Sequence, residues 1–418
     1  MKAALAVLVV LVSCLAAGCG GDDHTVTASS CGRVLYEGEG APDVVVVSEL
    51  PLRTFLAPET RPMVDAIELV LRRRGFRAGA YRVGYQSCND AVGQEPYDES
   101  LCRQNAHAYV EAEKVVGIIG PHNSGCAFEQ IPIVGRRSAG PLAMVSPSTT
   151  WPGLTRKTTQ KRSGAALYPE GIRNFVRVVT HDEAQGIAAA RRAKQLGARH
   201  AVVVVVGLPD DPYPVGLKVS FLGAASRLGL TVRAFSWDTK QSSRRLTAEV
   251  AATRPDAVYI AGYPVKRLVE DLRSAVGAET PIIGPDGFAF SHVLRELGRA
   301  GEGIYVTFPG IPRDRLPPAG RELMRTLGLA PAVDTTSWAP EAAQAADILL
   351  DAIARSDGTR ASVADELHET RVRHGILGSF SFDADGDIVP ALVGVYRIRG
   401  GNLVTERVLR VRVDPPGK

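Results

Sequence analysis

Along the chain, short wholly apolar runs alternate with longer stretches in which apolar residues recur every three or four positions. Asp43-Val-Val-Val-Val-Ser48 reads as a buried strand. Met63 to Arg74, with Met63, Ala66, Ile67, Val70 and Leu71 at helical spacing, reads as a helix stopped by Gly75. The unit recurs as strand Tyr81 to Gln86 with helix Ser100 to Glu113, and as strand Val115 to Ile119 with a loop and a helix around Phe128 to Arg137. A strand at Leu142 to Ser146 closes the first run. After Asn174-Phe-Val-Arg-Val-Val179 a second run predicts helix Glu183 to Leu196, strand His200 to Val206, helix Val215 to Leu228 and strand Thr231 to Ser236. Helix Arg245 to Thr253, strand Ala257 to Ala261, helix Val265 to Val276 and strand Pro281 to Gly284 follow. A long helix at Glu341 to Arg355 and hairpin-like strands from Gly378 to Val413 complete the pattern. Such alternation predicts an α/β protein of two doubly wound parallel-sheet lobes. Ligands of such sheets bind beyond the carboxyl ends of the strands, so two lobes facing each other there would enclose a cleft.

Composition narrows the function. With 45% hydrophobic and 22% charged residues over 418 positions, the chain is too apolar for disorder and too mixed for a polytopic membrane protein. A net charge of +4 over that length is too dilute for a nucleic-acid surface. The N-terminus carries Met1-Lys2, an apolar run from Ala3 to Val12, and then Leu15-Ala16-Ala17-Gly18-Cys19. The run is too short to span a bilayer and fits a signal peptide. Residues 1–19 resemble a bacterial signal with a lipobox, which implies an acylated Cys19, with Cys14 as the alternative; residues 20–42 would then form a tether and N-terminal segment. Simple secretion or a retained anchor is the plainer reading. In an oxidising compartment the remaining Cys31, Cys88, Cys102 and Cys126 are disulfide candidates, with three connectivities open. Their spacing matches no zinc or redox pattern, so no metal is expected.

Gly117-Ile-Ile-Gly-Pro-His-Asn-Ser-Gly125 and Pro141-Leu-Ala-Met-Val-Ser-Pro-Ser-Thr-Thr-Trp-Pro-Gly-Leu-Thr155 are followed by Asn174-Phe-Val-Arg-Val with Asp182-Glu-Ala-Gln-Gly186. Pro255-Asp-Ala-Val-Tyr-Ile-Ala-Gly-Tyr263, Pro281-Ile-Ile-Gly-Pro-Asp-Gly287, Glu302-Gly-Ile-Tyr-Val306 and Gly378-Ser-Phe-Ser-Phe-Asp-Ala-Asp-Gly-Asp387 continue the series. In this collinear order, over roughly Val44 to Val413, the chain resembles the leucine/isoleucine/valine-binding proteins, the type I periplasmic-binding fold. The resemblance implies three crossings between lobes, near Val179, Val306 and Ser379. One lobe would comprise residues 43–179 and 306–378, the other 180–305 and 379–413. It also implies a ligand set: Ser124, Ser148 and Thr150 from the first lobe, and Tyr213, Tyr263 and Asp286 from the second. Asp286 stands where the family often has glutamate, and the loop Gly207 to Gly216 lacks the family's Tyr-Gly step. Trp151 and Phe55 are further candidates for lining a side-chain pocket.

The chemistry of these residues suits a zwitterion. A desolvated carboxylate needs dipolar donors and a desolvated ammonium needs a carboxylate. Ser124 and Thr150 each open a loop before a helix, where backbone N–H groups favour an anion; Asp286 supplies the countercharge, and the tyrosines offer flat faces with a hydroxyl. Plainer readings stand beside each: turn and N-cap duty for the hydroxyl residues, a β-turn aspartate for Asp286, packing for Tyr263. Asp383-Ala-Asp-Gly-Asp387 resembles half a calcium loop, but the remaining ligands are missing and a hairpin turn is expected. No HExxH, GxSxG, P-loop or strand-borne GxGxxG is present, so neither enzyme nor cofactor is expected. His122, two residues from Ser124, is read as a loop histidine and not a base. The expectation is an exported, lipid-anchored, monomeric binding protein that hands an amino acid or related metabolite to an ABC permease. A ligand-sensing receptor of the same fold is the alternative.

Overall fold

The computed structural model describes residues 26–136, 138, 140–160, 162–207, 211–238, 240–330 and 337–413. The signal and lipobox reading, with Cys14 and Cys19, lies outside them. The first part of the chain runs β1 (Val44–Leu50), α1 (Ala57–Arg73), β2 (Arg77–Ala78), β3 (Tyr81–Asn89), α2 (Glu99–Glu111), β4 (Val115–Ile119), α3 (Ser124–Val134), β5 (Ala143–Ser146) and β6 (Phe175–Arg177). The second runs α4 (Asp182–Gln195), β7 (His200–Val206), α5 (Pro212–Arg227), β8 (Thr231–Trp237), α6 (Ser243–Ala252), β9 (Ala257–Gly262), α7 (Lys266–Val276), β10 (Ile282–Gly284), α8 (Ser291–Leu297) and β11 (Tyr305–Phe308). Then come α9 (Pro318–Thr326), α10 (Ala339–Arg355), α11 (Arg360–His368), β12 (Arg371–Gly375), β13 (Gly378–Phe382), β14 (Ile388–Val389), β15 (Leu392–Arg399) and β16 (Asn402–Arg410).

Two sheets organise these elements. The first has the order β2-β3-β1-β4-β5-β6 and the second β16-β15-β11-β10-β9-β7-β8. Pairing from β3 to β6 and from β8 to β11 is parallel; β2, β15 and β16 join their sheets antiparallel. Both parallel cores therefore share one arrangement, in which the first strand of each set is flanked by the second and third. That order creates a crevice at the carboxyl end, where neighbouring connections leave for opposite faces. The four-valine run that opens β1, Val44 to Val47, suits burial on both faces. Val44 and Val46 pack toward α1 and α10, while Val45 and Val47 pack toward α2 and α3. In the second lobe α4 and α5 cover one face and α6, α7 and α8 the other. A Cβ at Gly186 would stand 2.6 Å from the Ser220 backbone, so the crossing of α4 and α5 requires glycine. Among the described residues no helix is long and apolar enough to cross a membrane.

The chain passes between the sheets after β6, after β11 and after β14. Val306 and Ser379, expected at crossings, lie inside β11 and β13. β11 completes the second sheet by pairing Tyr305 with Ile283, and β12, β13 and β14 form a small antiparallel sheet of their own before the last crossing. Of the three possible pairings, the disulfides are Cys31–Cys88 and Cys102–Cys126. The second lies beside two fully buried carboxyl groups. Glu49 accepts from Asn105 and Gln130, each at 2.9 Å, and from the Tyr109 hydroxyl, whereas both side-chain oxygens of Asp90 lack a hydrogen bond. Burial pushes both carboxyls well up, and the Asp90 charge adds to the effect on Glu49.

Candidate functional site

Each lobe sends its strand-end loops toward the other, and these loops meet around a nearly closed cavity of about 20 Å³, or about 410 Å³ when the open space at its mouth is included. From the first lobe come Pro96 and Tyr97 after β3, His122 to Gly125 after β4, and Ser148 and Thr150 after β5. From the second come Asp211 and Tyr213 after β7, Tyr263 after β9, and Asp286 and Phe290 after β10. Trp338, just before α10, closes one side. All six residues of the ligand set named from the resemblance therefore line one space.

On the first-lobe side, Ser124 is the first residue of α3, which starts four residues earlier than the hydrophobic spacing predicts. Its Oγ accepts from the backbone N–H groups of Thr150 (3.2 Å) and Trp151 (3.1 Å), which ties the two first-lobe loops together. Asn123 makes no side-chain cap on α3, so that helix presents uncapped first-turn N–H groups at the cavity wall. A Cβ at Gly125 would collide with the Tyr97 hydroxyl. Ser148 Oγ lies 2.9 Å from His122 Nδ1 and 3.1 Å from the His122 carbonyl. Burial holds the His122 imidazole down at about 4. Its ring packs against Phe290 and Trp338. Ser148 and His122, from two different loops, thus meet. No carboxylate among the described residues orients the ring, however, and the serine hydroxyl is shared with a carbonyl. This is a positioned loop, without the third member that activates a nucleophile.

The second-lobe side is acidic and aromatic. Asp286 Oδ1 accepts from Gln185 Nε2 (2.7 Å) and from the Tyr213 hydroxyl (3.1 Å), which in turn accepts from Gly287 N. Burial outweighs the hydrogen bonds from Gln185, Tyr213 and the residue's own backbone and pushes the carboxyl up to about 6. Behind it, Gln185 also reaches Asp182, a buried acid raised first by burial and then by the Asp286 charge. Asp211 caps α5, its Oδ1 accepting from Tyr213 N at 3.1 Å, and burial pushes it too up to about 6. Tyr263 bridges the lobes by donating from its hydroxyl to Asn123 Oδ1 at 3.3 Å, and its ring stacks on Phe290 and tilts against Tyr213. A second bridge joins Ser291 N to Glu59 Oε1 at 2.9 Å.

Trp151 and Phe55 are corrections. Trp151 is turned away from the cavity and packs against Phe128 and the glycine face of α5 at Gly216, because its backbone N–H, not its ring, is held at the site by Ser124. Phe55 stands behind the wall, edge-on to Tyr263 and His292. Asp211, Tyr97, Asn123, Phe290 and Trp338 were not singled out in the sequence. Asp211 could have been found as an aspartate before Pro212, at a helix start just beyond a strand; Tyr97 carries no such signal.

Below the site loop lies a buried ion-pair network. Arg177 at the end of β6 donates to Asp387 Oδ1 (2.6 Å), to the carbonyls of Trp151 (2.8 Å) and Thr149 (3.4 Å), and to Thr155 Oγ1 (2.6 Å). Arg156 adds a 2.7 Å bond to each of Asp387 and Asp383, and Arg173 pairs with Asp385. The aspartates that resemble half a calcium loop are thus taken by arginines, and Asp383 also closes the turn by accepting from Asp385 N and Asp387 N. Burial alone would raise Asp387, but Arg177 and Arg156 outweigh it and hold the carboxyl well below the usual range.

The family model described as periplasmic binding protein matches residues 91–402. Among solved structures, a leucine-binding protein from Thermotoga maritima is 23% identical with a TM-score of 0.75, over 88% of this chain and 99% of that one. The isoleucine complex of a branched-chain amino acid transporter substrate-binding protein from Streptococcus pneumoniae is 18% identical, TM-score 0.71, over 88% and 99%. An ABC-transporter solute-binding protein from Rhodopseudomonas palustris HaA2, in complex with p-hydroxybenzoic acid, is 16% identical, TM-score 0.71, over 88% and 96%. These likenesses bear on the fold. No curated protein matches the chain.

Proposed function

Because the chain belongs to the periplasmic binding protein family, we propose that it captures an amino acid or related small polar solute between its lobes and hands it to an ABC permease. The observation that carries this reading is a cavity built from both lobes, in which every lining loop leaves the carboxyl end of a strand or, in the case of Trp338, precedes a helix start. The uncapped N–H groups of α3, with Ser148 and Thr150 beside them, suit a carboxylate; Asp286, with no lysine or arginine among the described lining residues, suits an ammonium. Tyr213, Tyr263 and Phe290 supply the apolar walls.

Binding works through closure. Residues from one lobe alone offer half a site, so a solute is held fully only when both halves meet, and it stabilises the closed state by its differential affinity for it. Tyr263–Asn123 and Ser291–Glu59 are contacts that opening would break. Thermal-shift screening of the protein against a metabolite panel tests the proposal: a solute at 100 times its dissociation constant adds about 2.7 kcal/mol. If no amino acid, amide or small organic acid moves the transition, the reading fails. Acylation of Cys19 would tether the protein to the outer face of the membrane. Metabolic labelling with a fatty-acid analogue, lost in Cys19→Ala, checks that part; label retained in the variant points to Cys14.

A further inference from the structure

The inference that follows rests on the solute-binding reading and concerns which solutes fit. The cavity's charges are of one sign. Asp211 and Asp286 both line it, with Asp182 directly behind. No lysine or arginine is among the described lining residues, and its one histidine, His122, is paired to Ser148 and packed between aromatic rings. Glu95 and Glu99, exposed on the loop and helix start around Tyr97, add their fields to Asp211 from the mouth side. A simple zwitterion settles one of the two lining carboxylates: its ammonium answers Asp286 while its own carboxylate goes to the α3 N–H groups. That leaves a second, half-buried acid facing the solute.

Asp211 is not consumed by the protein either. Its structural duty is the α5 cap, one hydrogen bond from Tyr213 N to Oδ1, which an asparagine or serine performs equally well. A half-buried acid that lines the cavity together with Tyr97 and Tyr263 forms a receptacle for a cation: an opposite charge to pair, with aromatic side chains in the same wall. We propose that the solute is an α-amino acid bearing a second, cationic group on its side chain, and that Asp211 receives that group.

The chemistry separates lysine from norleucine, which has the same carbon skeleton without the side-chain ammonium. Calorimetric titration of the full-length protein with L-lysine, L-ornithine, L-arginine, norleucine, L-leucine and benzoate tests the proposal. At least one cationic amino acid should bind, and in the lysine arm it should exceed norleucine by roughly tenfold or more. In Asp211→Asn, which keeps the cap, the cationic amino acid should weaken by a similar factor while norleucine is unchanged, with an unaltered melting curve for the unliganded variant confirming the fold. If norleucine, L-leucine or benzoate binds and the cationic amino acids do not, the charge assignment is overturned and solute capture stands. If a cationic amino acid binds but Asp211→Asn leaves it unaffected, Asp211 is not its partner and the proposal falls. Silence from every probe removes the proposal and counts against the amino-acid reading with it.

Discussion

Replacing Asp387 by asparagine isolates the charge that holds the site loop in place. Arg177 is wholly buried and Asp387 nearly so, with side-chain exposures of 0% and 4%. The substitution keeps the shape of the acceptor and leaves the guanidinium without its nearest counter-ion. Arg156 keeps Asp383 and is partly exposed, so the cost concentrates on Arg177. Removing one partner of a buried pair costs about 3–5 kcal/mol; the residual amide contact argues for the lower end, about 3 kcal/mol, or roughly a hundredfold in the folding constant. Urea unfolding with an unchanged slope is the assay. Because the folded-state carboxyl is held below its unfolded value near 3.9, its contribution is complete above about pH 4 and fades as pH falls further. The gap between wild type and variant should therefore narrow on acidification. A double-mutant cycle with Arg177→Met should show strong coupling. A loss below about 1 kcal/mol, or additive single effects, would refute the reasoning, since those are the marks of a solvated pair.

Further outcomes follow from other groups. Asp286→Ala should weaken solute binding by about 2 kcal/mol or more, read by calorimetry, if an ammonium pairs with its carboxylate. Glu341→Ala should cost about 3–5 kcal/mol in urea unfolding, because it strips Arg313, paired at 2.8 and 2.9 Å and wholly buried, of its partner at the second crossing. Glu49→Gln should flatten the pH dependence of stability. The raised carboxyls of Glu49 and Asp90 favour the native state below their unfolded values near 4, and that contribution is lost as pH rises through the folded ones; the variant's urea midpoint should gain on wild type as pH is raised from about 4. Replacing Cys102 and Cys126 by serine, which opens a span of 24 residues, should cost about 3 kcal/mol.

The alternation of apolar runs with helical periodicity determined two α/β lobes, because a strand buried on both faces must be uniformly apolar and its covering helix must be striped. β4 and β7 are found at the positions read from that pattern. Helix starts drifted: α3 begins at Ser124, within a polar and glycine-bearing stretch whose apolar spacing gives no helix signal, since an N-terminus is set by capping and by what the loop before it holds. The residues that meet at the cavity were legible as loop hydroxyls, tyrosines and an aspartate, and a family order could join them. Which way each one faces was not. Trp151 and Thr150 are neighbours in sequence and both N–H groups bind Ser124, yet only Thr150 lines the cavity while the Trp151 ring packs outside it. Asp387 looked like a turn residue and became the counter-ion of Arg177, 210 positions away in sequence. Periodicity is local and is written residue by residue. The pairing of charges and the direction of a side chain depend on where distant segments come to rest, and only the folded chain decides that.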